Sequence, residues 1–188
     1  NANTTGTRNT ASGGYSLCKN TTATDNTASG YMSLLNNTTG DFNTASGSYA
    51  LYSNTTANAN TTSGYKSLLG NTTGADNTAS GTYASSSNTT GSKNVSIGMN
   101  AGAVTTTGAC NIAIGYCARA CVNNIDNTVA IGHDACAVAT NDFILGNSSH
   151  VLDIPSGKLK VGGSSGSNGQ VLTTDGSGGV SWTSTSIT

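Results

Sequence analysis

Glycine recurs along this chain with a fixed step. Gly13, Gly30, Gly47, Gly64, Gly81, Gly98, Gly115 and Gly132 are each 17 residues apart, and Gly146 follows after 14. One period sustained over eight units restricts the chain to a repeat architecture, in which each unit packs on its neighbours. Asn9, Asn26, Asn43, Asn60, Asn77, Asn94 and Asn111 keep the same step and stand four residues before the glycine. A second series, Asn3, Asn20, Asn37, Asn54, Asn71 and Asn88, opens an Asn-Thr-Thr triplet in each unit. Asn-Thr-Ala-Ser-Gly stands at 9–13, 26–30, 43–47 and 77–81, and Asn60-Thr61-Thr62-Ser63-Gly64 differs from it at one position.

The motif changes character along the chain. It becomes Asn94-Val95-Ser96-Ile97-Gly98, then Asn111-Ile112-Ala113-Ile114-Gly115, then Thr128-Val129-Ala130-Ile131-Gly132. Val or Ile replaces Thr, and Ile replaces Ser two residues later, which is the two-residue alternation of a strand. Thr10 and Ser12, with their equivalents, therefore share a side with Val129 and Ile131. Because that side turns apolar, it reads as the buried one. Three residues after each glycine only Ser or Ala occurs: Ser16, Ser33, Ala50, Ser67, Ala84, Ala101, Ala118 and Ala135. A tightly packed inward position explains the restriction.

Seventeen residues are too few for a helix pair, and Thr, Ser, Asn and Gly are mediocre or poor helix formers. The unit reads as one coil of a β-solenoid, with two short strands and two turns. Coils pairing in parallel at about 4.8 Å make nine of them a rod on the order of 40 Å long. Identical residues then stack on one another, so Asn and Thr are expected to form hydrogen-bonded ladders along the axis. The Asn-Thr-Thr triplet is expected to form an outer turn. The repeat glycine marks a turn with positive φ or a close backbone approach.

Composition narrows the function. Asn, Thr, Ser and Gly make up more than half of the 188 residues, and Leu, Ile, Val and Phe together about 15%. With so little apolar mass, a conventional enzyme core is not expected. Low hydrophobicity alone marks disorder only when net charge is high, and here it is −1. Seven Lys and Arg residues cannot neutralise a phosphate backbone, so nucleic acid is not an expected partner. No apolar run reaches the length of a membrane span, so membrane insertion is not expected either. The chain begins inside a repeat, without an initiator Met or a leader, and reads as a fragment or a processed product. A single stack of such coils buries little, so an oligomer with shared inner faces is expected, threefold being the natural way to bundle narrow rods.

Asn-Thr-Ala-Ser-Gly-x-Tyr-Ala and Asn-x-Ala-Ile-Gly resemble the YadA-type, haemagglutinin-like head repeats of trimeric autotransporter adhesins, which also occur in phage and virus tail fibres. The resemblance covers about residues 1–150. It implies a left-handed parallel β-roll and a homotrimer, with coils usually of the 14-residue length seen here only between Gly132 and Gly146. It is specific for a fold and not for a ligand. The all-β array at 1–150 is then followed by a β-rich tail or connector at 151–188. In that tail, Ile154–Gly162 reads as a strand. Gly169-Gln170-Val171-Leu172-Thr173-Thr174-Asp175-Gly176 and Gly179-Val180-Ser181-Trp182 are similar to a segment common in phage and virus fibres, where it precedes a chaperone or tip region. An end at Thr188 fits removal of such a region. An adhesin would continue instead into a coiled-coil stalk and a membrane anchor.

No catalytic, cofactor or metal site is expected. Cys18, Cys110, Cys117, Cys121 and Cys136 are odd in number and lack paired zinc-ligand spacing, so free thiols are expected. Cys121 and Cys136, about one coil apart, are the pair able to approach. His133 takes the slot of Tyr116 and Tyr31, where a ring repeated about a trimer axis would hold an ion but packing is the simpler role; His150 is the other histidine. Asp25, Asp41 and Asp76 read as solvated turn residues. Tyr15, Tyr31, Tyr49, Tyr65, Tyr83 and Tyr116 follow the glycine by one or two residues and suit packing between coils or, alternatively, stacking on sugar rings. Trp182 reads as an anchor of the tail. Asn-x-Ser/Thr sequons start at Asn3, Asn20, Asn36, Asn37, Asn54, Asn60, Asn71, Asn88, Asn94 and Asn147, as an Asn/Thr-rich repeat produces without selection. The expected function is a structural fibre of a virion or phage: a trimeric rod, bound to other fibre proteins, that presents a host-receptor surface directed at glycans. A bacterial cell-surface adhesin head is the alternative. An ice-binding protein, suggested by the Thr-x-Ser columns, is opposed by the change to Val-x-Ile.

Overall fold

Alternating Thr-Ala-Ser gives each coil one strand of three residues. In the computed structural model, which describes residues 2–149, 166–167, 170–176 and 179–184, the chain divides into two compact units, Asn1–His150 and Val151–Thr188. The first unit is an all-β parallel solenoid. Its strands are β1 (Thr10–Ser12), β2 (Thr27–Ser29), β3 (Thr44–Ser46), β4 (Thr61–Ser63), β5 (Thr78–Ser80), β6 (Val95–Ile97), β7 (Ile112–Ile114), β8 (Arg119–Ala120), β9 (Val129–Ile131), β10 (Cys136–Ala137) and β11 (Phe143–Leu145). Nine of these form one sheet in the order β1-β2-β3-β4-β5-β6-β7-β9-β11. Pairing is parallel and keeps the sequence period: Thr10 lies on Thr27, Thr44 on Thr61, Val95 on Ile112. The step shortens only at the end, where Val129 pairs with Phe143.

The sheet corrects the inside–outside assignment. The middle residue of each strand points inward: Ala28, Ala45, Thr62, Ala79, Ser96, Ala113 and Ala130 are buried. The flanking Thr and Ser of β2 to β5 are exposed. Thr-x-Ser and Val-x-Ile do share a side, as the alternation required, but within the chain it is the outward side. Sequence hydrophobicity misled here because the interior is already filled by leucines and asparagines of the turns, and the inward strand position holds only Ala, Ser or Thr from β2 to β7 and in β9. Where a hydroxyl replaces the inward alanine, it finds a partner: Thr62 Oγ1 lies 2.7 Å from Ser67 Oγ, and Ser85 Oγ lies 2.7 Å from Ser96 Oγ.

Asparagines occupy much of the interior, and hydrogen bonding makes that possible. In the motif series each Oδ1 accepts from the backbone N–H of the asparagine one coil on, as in Asn43 N to Asn26 Oδ1 (2.9 Å) and Asn77 N to Asn60 Oδ1 (3.0 Å). The matching Nδ2 reaches a carbonyl of the next coil, as from Asn43 to Ala57 O and from Asn94 to Gly108 O. The second series stacks amide on amide: Asn54 Nδ2 donates to Asn37 Oδ1 at 2.9 Å, Asn71 to Asn54 at 3.0 Å and Asn88 to Asn71 at 2.8 Å. The Asn-Thr-Thr turn is therefore not wholly outer, because its asparagine is interior. Its first threonine adds a hydroxyl ladder, as in Thr38 Oγ1 to Thr55 O (3.0 Å). The amide ladder ends where Thr105 takes the asparagine slot, since Thr has no amide to donate. Asn88 Oδ1 is left buried without a hydrogen-bond partner.

Backbone conformation closes the coil. The stacked glycines have φ of +122° to +138°. From Gly13 to Gly115, a Cβ on any of them would sit 2.4–2.6 Å from the carbonyl of the next glycine in the column. Positive φ and close approach both apply, and only glycine meets both. Through the first five coils, three further residues per coil are left-handed without being glycine. They are represented by Tyr49 (φ 60°), Leu51 (51°) and Ala59 (57°). Each such residue costs about 1 kcal/mol. Burying Leu34, Leu51 and Leu68 completely returns roughly 2 kcal/mol apiece. These turns correct the expectation of two strands per coil, because the side opposite the sheet is a tight turn through the first coils. A second strand appears only late, where β8 pairs with β10. There Cys121 and Cys136 form a disulfide, correcting the expectation of five free thiols. The solenoid brings the two cysteines to a Cα separation of 5.4 Å, which residue spacing could not establish.

In the second unit, β12 (Gln170–Thr174) and β13 (Val180–Ser184) form an antiparallel hairpin in which Leu172 faces Trp182. Trp182 also covers Gly166, where an added Cβ would meet the indole at 2.7 Å. The strand expected at 154–162 lies outside the described residues.

Candidate functional site

The coils present their chemistry as columns, one residue per coil, and three columns dominate the surface. The first is the outward side of the nine-stranded sheet. Over β1 to β5 it is a lattice of Thr and Ser in register. Strands are spaced by about 4.8 Å, and alternate residues by about 7 Å. From β6 onward the same two columns read Val95 and Ile97, Ile112 and Ile114, Val129 and Ile131, Phe143 and Leu145. Ile97 is 42% exposed, Phe143 65% and Leu145 47%, and the others are half-buried. A continuous apolar strip thus lies on the surface of a chain poor in apolar residues, and isolated exposed residues do not explain it.

The second is a row of tyrosines beside the stacked glycines. Tyr15, Tyr31, Tyr49, Tyr65 and Tyr83 pack edge to face, with ring centroids 6.1, 5.6, 6.4 and 5.6 Å apart in sequence. They pack between coils, as one of the two sequence readings held, yet they do so on the surface; all but the half-buried Tyr49 stay substantially exposed. Lys66 Nζ lies 5.8, 5.1 and 5.6 Å from the centroids of Tyr49, Tyr65 and Tyr83. Side-chain hydrogen bonding with Tyr65 is the main cause raising its pKa above the ordinary lysine value. The third column is the second Thr of each Asn-Thr-Thr triplet: Thr22, Thr39, Thr56, Thr73 and Thr90 are all exposed.

Residues singled out from the sequence are scattered over these surfaces. His133 stacks on Tyr116 at 5.2 Å and lies 3.2 Å from Asp134 through Nδ1. The Cys117 thiol beside Tyr116 is the first cause raising that phenol's pKa. His150 lies outside the described residues. Asp25 pairs with Arg8 one coil away, and this hydrogen-bonded pairing holds the carboxyl below its ordinary range. Asp41 accepts from the backbone N–H of Thr24 at 2.6 Å, so these acids bridge coils and do not form a cation array. Cys18 and Cys117 are half-buried free thiols, and Cys110 is exposed. Of the sequon asparagines, Asn20, Asn37, Asn54, Asn60, Asn71, Asn88 and Asn94 are buried, with their amide nitrogens committed to ladders. A folded coil has no room for a glycan on any of them. A cavity of about 120 Å³, lined by Asn3, Asn9, Ala11, Ser16, Leu17 and Asn20, opens at the β1 end of the stack. It exposes the interior of the last coil there.

Reasoning from sequence missed the apolar strip, because it placed Val-x-Ile inside, and it missed the single line made by the tyrosines. The signal for the latter was present: tyrosine alternates between the first and second residue after successive glycines. Comparison with protein families, with curated proteins and with solved structures finds no match.

Proposed function

We propose that this chain is a structural segment of an attachment fibre, with three copies bundled side by side through the outward face of the nine-stranded sheet. The observation that carries the reading is the apolar strip from Val95 to Leu145. Completing the burial of these eight side chains contributes on the order of 1 kcal/mol each. That sum is comparable with the cost of association, so the strip suits a permanent interface. The resemblance to YadA-type head repeats supplies the threefold symmetry, the left-handed winding and the placement in a virion or phage fibre. A bacterial surface adhesin head would use the same rod. The reading is non-enzymatic: the rod is a stiff polar spacer whose repeated surface makes weak contacts multivalent, with a host glycan as the expected receptor and other fibre proteins as end partners. Light scattering on the purified protein tests it. A mass three times the 18.6 kDa of one chain supports the bundle, and a stable monomer overturns it. Detection of the chain in purified particles, against a cell-envelope fraction, separates virion from adhesin.

A second reading has a specific observation in its favour. The Thr and Ser lattice over β1 to β5 is exposed within the chain, so the objection that this side is buried no longer holds against ice binding. The lattice is regular in two directions, as ordering of surface water requires. Thermal hysteresis and ice-crystal faceting by a monomeric sample support this reading, and their absence removes it.

A further inference from the structure

We propose that the tyrosine row from Tyr15 to Tyr83 is a docking track for a linear polysaccharide. The proposal deepens the attachment reading above and rests on it.

The row is not needed to close the coil. In each of five coils tyrosine takes one of two adjacent slots after the stacked glycine, alternating between second and first. The slot left over holds Gly14, Met32, Ser48, Lys66 or Thr82. The first slot thus takes Gly, Ser or Thr in place of Tyr and the second Met or Lys, and strand pairing runs through all five coils unchanged. Yet four of the five rings lie outside: Tyr15 is 62% exposed, Tyr31 44%, Tyr65 41% and Tyr83 36%, while Tyr49 is half-buried against Tyr52. This aromatic area lies beside the polar coils one to five, apart from the apolar strip that begins at Val95, and calls for an occupant of its own.

The geometry specifies which one. Neighbouring rings are nearly perpendicular, at 84°, 78°, 89° and 86°. Tyrosines two coils apart occupy the same slot after the glycine, Tyr15 with Tyr49 and Tyr83, and Tyr31 with Tyr65. Two coils span about 10 Å, the length of a disaccharide, and an extended β-linked glycan turns the same sugar face outward at every second residue. Ring faces would meet the C–H faces of alternate sugars. The phenol hydroxyls and Ser48 and Thr82 beside them supply donors and acceptors for sugar hydroxyls. Lys66 sits mid-row over three rings and makes no ion pair among the described residues. It gives sugars bearing a carboxylate an added contact. One cation is too few for a nucleic acid.

The test uses the full chain in its native assembly, with cellohexaose, chitohexaose and a hexamer of β-1,4-mannuronate as probes in calorimetry. Tyr31→Ser with Tyr65→Ser places in two coils the residue that Ser48 already supplies at that slot, so the variant is expected to fold. The expected result is binding of at least one hexamer, weakened about tenfold or more by the double variant, with melting temperature and mass unchanged. Lys66→Met, after Met32, should weaken the mannuronate hexamer alone. If no hexamer binds at millimolar concentration, the track is wrong, even where the assembly adheres to host cells. Binding that the tyrosine variant leaves unchanged also overturns the track, but leaves glycan-directed attachment standing by another surface.

Discussion

Coils one to five and coils six to nine share a backbone and invert its chemistry. In the first group the interior holds Leu17, Leu34, Leu51 and Leu68 with alanines, and the outward strand positions are Thr and Ser. In the second group the interior cluster is Ala101, Ala113, Ala118, Ala130 and Ala135, with Ile144 against it, and the outward positions are Val, Ile, Phe and Leu. Apolar mass has moved from inside the coil to outside it. Register does not notice: β5 pairs with β6 as β4 pairs with β5. What the coils have in common is therefore the glycine column, with the asparagine ladders added as far as Asn111. The strand's outward residues remain free to be chosen for a neighbour. A coil with leucine inside is nearer to self-sufficient. One filled by alanine, with a late second strand and a disulfide, keeps its largest side chains for a surface beyond itself.

The widest break in this comparison would come from charge on the apolar half. On the proposed threefold bundle, Ile114→Asp with Ile131→Asp should take the mass from three chains to one while circular dichroism stays unchanged. Ser46→Ala with Ser63→Ala, at the matching places of the polar half, should leave the mass as it was. If the isoleucine pair has no effect on mass, the interface lies elsewhere.

A second large effect separates the halves by glycosylation. The buried sequons run from Asn20 to Asn94 and leave the last three coils without one. Expression through a glycosylating secretory route should occupy them before the coils close and yield aggregated, glycan-bearing chain. Asn→Gln at these seven positions would not rescue the fold, because the longer side chain leaves the ladder. Expression in a cytosol without glycosylation should give folded protein. Peptide mapping of the glycans, with a melting curve, checks both arms.

Gly64→Ala and Gly115→Ala ask whether the backbone is indeed common to the two regions. Each should cost roughly 3 kcal/mol, from left-handed strain together with overpacking against the next glycine. Unequal losses in denaturant unfolding would show that one half tolerates displacement of a coil and would sharpen the contrast.

Thr105→Asn tests the boundary itself. The new amide would donate to the unpartnered Asn88 Oδ1 and extend the ladder by one coil, a gain of about 1 kcal/mol, read as a higher unfolding midpoint.

The smallest effect belongs to the exposed pair Arg8 and Asp25. Its carboxyl is held low by the hydrogen-bonded guanidinium. The contribution is therefore present above the ordinary aspartate pKa and is lost as pH falls through the lowered value. Removing Arg8 should flatten that acid-side dependence and barely move the melting temperature at neutral pH.

The repeat step, the strand motif, the ladders and the obligatory glycine were legible in the sequence, because a parallel solenoid stacks each residue on its own equivalent and so writes its period directly into the chain. Ser or Ala after the glycine announced a tight interior for the same reason. Three matters were decided only by tertiary structure. Alternation says which residues share a side, but not which side is inside. That depended on what already fills the coil, since leucines and asparagines of the turns leave the inward strand position to Ala28 and its equivalents. The left-handed turns at Leu34 and Leu51 contradict local propensity and survive because burial and ladder bonds outweigh it. Spacing placed Cys121 about one coil from Cys136 and the tyrosines at one period, but the disulfide and the edge-to-face ring contacts depend on side-chain geometry that only coil closure fixes.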